Sequence, residues 1–113
     1  PPRSTLFPYT TLFRSLVTKK VKAPFMIDST DSAVIELALK KLQGKSIINS
    51  INLEDGEVRF QAVVPLARRF GAALVVGCID DDKDQAQAIT KARKLEVAVR
   101  SAKLLTENYG VPI

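Results

Sequence analysis

Apolar positions in residues 16–113 follow one scheme three times: a short apolar run, a polar turn, then a longer stretch with apolar side chains at helical spacing. The first run, Phe25–Asp28, predicts a strand, and Ser29, Thr30 and Asp31 then offer N-cap oxygens. A helix is predicted over about Ser32–Leu42, with Val34, Ile35, Ala38, Leu39 and Leu42 on one face and Gly44 suited to the left-handed position beyond its end. The second run, Ser46–Asn49, leads through the loop Ile51–Gly56 to a helix ending near Arg69, with Phe60, Val63, Val64, Ala67 and Phe70 inward and Gly71 as its stop. Pro65 lacks a backbone donor, so a kink near Val64 or a break with a fresh start is expected.

The third run, Ala73–Ile79, is almost continuously apolar, the pattern of a parallel strand covered on both faces. Asp80, Asp81 and Asp82 close it. The last helix is predicted from about Gln85 to Asn108, its buried stripe made of Ala88, Ala92, Leu95, Val99, Ala102 and Leu105, with Gly110 and Pro112 ending it.

Strand starts near residues 25, 47 and 73 have the spacing of right-handed β/α units joined by short loops. The expected fold class is α/β: part of a (β/α)8 TIM-type barrel, with about three parallel β/α units in the order 1-2-3. A closed barrel takes roughly 250 residues, and this chain has 113, so an open piece is expected. The rival architecture is a non-enzymatic flavodoxin-like module with the Asp80 cluster as an acidic pocket. It requires the strand order 2-1-3.

Residues 1–15 differ from the rest. They hold three of the seven aromatic residues, contain no acid, repeat Thr-Leu-Phe, and show neither strand alternation nor a helical stripe. Thr5 to Ser15 reads as the translation of a common sequencing adaptor. Residues 1–15 are therefore expected to be a non-native leader outside the fold, and residues 16–113 the barrel piece.

The 46% apolar and 26% charged content is that of a globular chain. No apolar run reaches the ~18 residues of a membrane span, so no membrane partner is expected. A single cysteine excludes an intrachain disulfide and points to a reducing, cytoplasmic setting. The absence of histidine removes imidazole acid–base catalysis, Ser-His and Cys-His dyads and most zinc sites. The net charge is +5, with Lys19, Lys20 and Lys22 clustered before Pro24. A solvated segment accounts for that cluster better than a phosphate site, and no nucleic-acid partner is expected.

Asp28 and Asn49 end two consecutive apolar runs, and strands of a β/α barrel carry functional side chains at their carboxyl ends. A carboxylate accepts hydrogen bonds and a primary amide both donates and accepts, so the pair can read the edge of a heterocycle with N–H groups beside a carbonyl. Asp80 ends the third run and is a candidate for the pocket rim, although helix capping or solvation is favoured over it. Ser29, Ser50 and Asn52 read as turn formers. Cys78 reads as a small buried side chain within the third strand. Three consecutive carboxylates at 80–82 lack the spaced oxygens of a calcium loop, so no metal is assigned.

The strings Pro24-Phe25-Met26-Ile27-Asp28-Ser29-Thr30 and Gly44-Lys45-Ser46-Ile47-Ile48-Asn49-Ser50-Ile51-Asn52-Leu53-Glu54-Asp55-Gly56 resemble the pterin-binding domain of cobalamin-dependent methionine synthases. The likeness continues through Arg68–Val76, Arg93–Glu96 and Leu104–Gly110, covering essentially all of residues 16–113. The resemblance implies a β/α barrel that binds methyltetrahydrofolate and passes its methyl group to cob(I)alamin held by another domain of the parent. It carries pterin binding onto Asp28 and Asn49. Dihydropteroate synthase shares the Asp-then-Asn pattern and is the alternative enzyme class. The family's further pterin-contacting Asp, and the Asn near the methyl-bearing nitrogen, have no counterpart before Ile113. No catalytic acid is therefore assigned, and this chain alone is expected to be inactive in methyl transfer.

Overall fold

The computed structural model describes residues 16–84 and 88–113. The leader expected at residues 1–15 and the helix start expected at Gln85 lie outside them. Residues 16–20 are helical (α1). Three β/α units follow: β1 (Met26–Asp28) with α2 (Ser32–Lys41), β2 (Ile47–Ile51) with α3 (Val58–Phe70), and β3 (Ala73–Val76) with α4 (Lys91–Lys103), which runs into a π-helical turn at Leu104–Asn108. The strands are parallel and ordered β1-β2-β3. This is an α/β sheet of partial-barrel type, and the order excludes the flavodoxin-like arrangement.

Local chemistry explains the first unit. Asp31 is extended and its side chain accepts from the Ala33 N–H at 2.9 Å, satisfying an otherwise orphaned donor of α2. Ser29 Oγ accepts from the Asp31 N–H at 3.1 Å, fixing the turn that delivers the cap. Lys40 and Lys41 lie in the last turn, where cations complement the helix dipole.

The second unit is longer on the strand side than expected. β2 extends to Ile51, with its register on β3 shifting between Asn49 and Ile51, where the Asn49–Ser50 peptide is cis. α3 runs through Pro65 as one helix, so there is no fresh start. Pro65 and Gln61 are both exposed, and water can serve the carbonyl that proline leaves unbonded. Gly71, at φ 68°, ends α3, and the Ala72 N–H bonds back to the Ala67 carbonyl at 2.9 Å.

Ile27 and Ile48 are register partners on the helix side of the sheet. They pack with Ile51 and Leu53 against Ile35, Ala38 and Leu39 of α2 and Phe60, Val63, Val64 and Ala67 of α3. These fully enclosed aliphatic and aromatic groups each contribute roughly 1.5–3 kcal/mol of hydrophobic stabilisation. The Phe60 ring meets Tyr109 with centroids 6.0 Å apart and planes tilted by 59°. The π-helical turn is thereby tied to the start of α3.

Two expectations for the third unit are corrected. β3 stops at Val76 rather than Ile79, because the shift in β2 pairs Ile51 with Val76 and leaves single bonds beyond: Gly77 N–H to Ile51 at 2.8 Å, and Leu53 N–H to Ile79 at 2.9 Å. The strand is also covered on one face only. Val75 is exposed, because the face away from the helices is open. Cys78 therefore sits past the strand end, half-buried.

The last helix is the larger departure. It begins at Lys91, where the Thr90 hydroxyl accepts from the Arg93 N–H at 3.2 Å, and its ordinary α-helical part ends at Lys103. Val97, Ser101 and Leu105 are buried, whereas Leu95 and Val99 are 62% and 52% exposed. The inward face thus carries Arg93, Val97, Ser101 and Leu105 at spacings of four, and its two polar members disguise it in the sequence. Beyond Lys103, Thr106 Oγ1 donates to the Ala102 carbonyl at 2.9 Å, a competing bond that accompanies the switch to a π turn.

Candidate functional site

Asp28 and Asn49 are register partners in adjacent parallel strands. Residues paired this way point to the same face, and neighbouring strands lie about 4.8 Å apart. That face is opposite the one on which Ile27 and Ile48 enter the core, so both polar side chains rise from the open side of the sheet at its carboxyl end. The row continues on β3 with Val75, the register partner of Asn49. One pleat earlier the same face carries Met26, Ile47 and Ala73, with Met26 55% exposed. The result is a shallow apolar platform edged by one carboxylate and one amide.

Asp28 is not consumed by helix capping, since Asp31 performs that task. Among the described residues, no hydrogen bond or ion pair engages the Asp28 carboxylate or the Asn49 amide. Asn52 and Ser29 act as turn formers: Asn52 Oδ1 accepts from the Glu54 N–H at 3.0 Å, and Ser29 holds Asp31 as described above.

Asp80 has a different place from the one its sequence position suggests. It is only 2% exposed, and its Oδ2 accepts from Arg93 Nη2 at 2.6 Å with Arg100 Nη1 at 3.5 Å. Oδ1 accepts from the Asp82 N–H at 3.2 Å. The carboxylate is spent on internal partners. It is neither solvated nor the cap of α4, a role filled by Thr90, and nothing of it is offered to a pocket rim. Arg100 also donates to Asp81 at 3.1 Å, and that bond holds the Asp81 carboxyl below the usual aspartate range. Lys19, Lys20 and Lys22 are exposed, as a solvated segment would be.

A cavity of about 820 Å³ opens away from the Asp28–Asn49 row, between β3, the end of α3, α4 and the tail at residues 110–113. Its lining is mostly apolar, and neither Asp28 nor Asn49 reaches it. The chemistry of the paired strand ends and this cavity are therefore separate features.

One contributor to the strand ends is not evident from the sequence. Arg59, in the first turn of α3, donates to the carbonyls of Ser29 at 2.7 Å, Thr30 at 2.6 Å and Ser50 at 3.4 Å. A guanidinium offers five donors in a planar fork and can serve several carbonyls at once. The available signal was a basic residue where the helix dipole favours an acid.

The model of the family described as pterin binding enzyme matches residues 11–113. The chain belongs to the pterin-binding enzyme family. Within that family it is 42% identical over 91 residues to methionine synthase of Mycobacterium tuberculosis and 43% identical over 91 residues to methionine synthase of Mycobacterium leprae. Each match covers 78% of this chain and 7% of the relative, so the chain spans a small part of the length of the relatives it matches. For a pterin-binding enzyme, a flat apolar platform with an acceptor and an amide along one edge is chemically apt, because a pterin is a planar ring with an N–H and an amine beside a carbonyl.

Proposed function

We propose that residues 16–113 form part of the pterin-binding domain of a methionine synthase, and that Asp28 and Asn49 orient methyltetrahydrofolate for methyl transfer to cob(I)alamin. The observation that carries this reading is the pairing of Asp28 with Asn49 on the open face of a chain belonging to the pterin-binding family. The Asp28 carboxylate accepts from the ring N–H and the exocyclic amine of the pterin, and the Asn49 amide meets the neighbouring polar group. Met26 and Ile47 supply an apolar floor. Holding the ring in one orientation is how such a site contributes to displacement at the methyl group.

Cobalamin belongs to another module of the parent in this reading. The chain has no histidine to ligate cobalt. Among the described residues no helix is long and apolar enough to cross a membrane. A cytoplasmic setting is part of the proposal.

The test is calorimetric titration of the chain with methyltetrahydrofolate, alone and with Asp28→Asn or Asn49→Ala. Each bond to the Asp28 carboxylate is worth about 1.5–3 kcal/mol, so Asp28→Asn is expected to weaken binding at least about tenfold. Equal affinity in the wild-type chain and in both variants would sink the assignment.

A further inference from the structure

The three carbonyls that Arg59 holds are those of Ser29 and Thr30, immediately after Asp28, and of Ser50, immediately after Asn49. One side chain therefore bridges the turn that leaves β1 and the last residues of β2. Its location is otherwise unfavourable. α3 has no acid in its first turn and its Glu57 cap makes no side-chain capping bond, so the positive end of the helix dipole meets a cation in that turn. The half-buried guanidinium is accounted for by the carbonyls it reaches across to, which lie at the carboxyl ends of β1 and β2. Charge-assisted bonds of 2.6 and 2.7 Å are at the strong end for N–H to oxygen.

We propose that Arg59 is a positioning residue for the Asp28–Asn49 pair, fixing the spacing and aim of the two side chains by clamping the backbone that follows each of them. The inference rests on the pterin reading of that pair. Arg59 itself makes no contact with the ring. It acts on the two backbones, so that the acid and the amide are held ready before ligand arrives. Lysine cannot replace it, because a single ammonium on a flexible stem does not span carbonyls on two separate segments.

The experiment compares the wild-type chain with Arg59→Lys and Arg59→Ala by amide hydrogen exchange and by titration with methyltetrahydrofolate. Exchange is expected to accelerate about tenfold at residues 29–31 and 50–51 in both variants, while the amides of Leu39 and Val64 keep their protection. Affinity for methyltetrahydrofolate is expected to fall about 10-fold to 100-fold in Arg59→Lys, with millimolar guanidinium ion recovering part of the loss in Arg59→Ala. If Arg59→Ala does not fold, Arg59→Lys carries both measurements. Unchanged exchange at the two segments, acceleration by the same factor at Leu39 and Val64, or wild-type affinity in Arg59→Lys would each overturn the proposal. A wild-type chain that takes up no methyltetrahydrofolate would overturn the pterin reading instead, and the exchange data would then decide alone whether Arg59 clamps the two segments.

Discussion

Arg93 brings its Nη2 to 2.6 Å from Oδ2 of Asp80, joining the segment after β3 to the first turn of the helix that follows it. The acid is enclosed and the base nearly so, and Arg100 adds a second cation at 3.5 Å. Removing Arg93 leaves the enclosed Asp80 carboxylate with only the more distant Arg100 to balance its charge. Arg93→Met is therefore expected to lower the urea midpoint of unfolding. Asp80→Asn added to Arg93→Met should recover part of the loss, because a buried amide costs less to leave unpaired than a buried carboxylate. A double variant less stable than Arg93→Met would contradict this account.

Tyr109 donates its hydroxyl to Glu57 Oε2 at 2.9 Å. Desolvation first, and then the bond and charge of Glu57, push its pKa above the ordinary value of 10.0. A raised folded-state value favours the neutral phenol. The associated stability is fully present below the unfolded pKa and is lost as pH rises through the folded one. Ultraviolet difference absorbance should show one tyrosine titrating late, and that phase should vanish in Tyr109→Phe. In Glu57→Gln it should move toward the ordinary value.

Val97 and Val99 give a matched comparison of the two sides of α4. Val97 is fully buried, whereas Val99 is half exposed. Val97→Ala is expected to cost about 1–3 kcal/mol in denaturant titration. Val99→Ala should change stability by no more than about 0.5 kcal/mol. The opposite ranking would mean that α4 is rotated from the orientation described.

In a three-stranded sheet β1 and β3 are edges, and their outward N–H and C=O groups can pair with another chain. Sedimentation velocity is expected to show concentration-dependent association. The Ala73 and Gly77 amides bond to β2, so by alternation the Val76 amide points outward. Val76→Pro should reduce association without removing a bond to β2. Association unaltered by that change would assign it to another surface.

The first two units were legible because nearly every signal in them agrees, Pro65 being the exception. The apolar positions of β1 and β2, the cap at Asp31 and the stop at Gly71 all point to the observed elements. The Asp28–Asn49 pairing was foreseeable for the same reason, since each ends an apolar run of similar length. The last helix misled because Arg93 faces inward with Asp80 as its partner, and Ser101 is small enough to be buried two turns further along the same face. Counting apolar residues then selects Leu95 and Val99, which face outward. Asp80 was misplaced by the same omission, because an ion pair between residues thirteen apart leaves no periodic trace. Arg59 was missed because its partners are main-chain oxygens up to thirty residues away, a bond to which any side chain at those positions would contribute equally.

The shared pleat of β1 and β2 has a consequence for how sequence change reaches the Asp28–Asn49 pair. Because side chains alternate strictly, a slip of β1 by one residue would carry Asp28 into the helix layer and lift Ile27 into the open. Misalignment of the acid is thus punished by loss of packing. Drift that keeps the chain folded therefore keeps positions 28 and 49 side by side on one face, whichever residues occupy them.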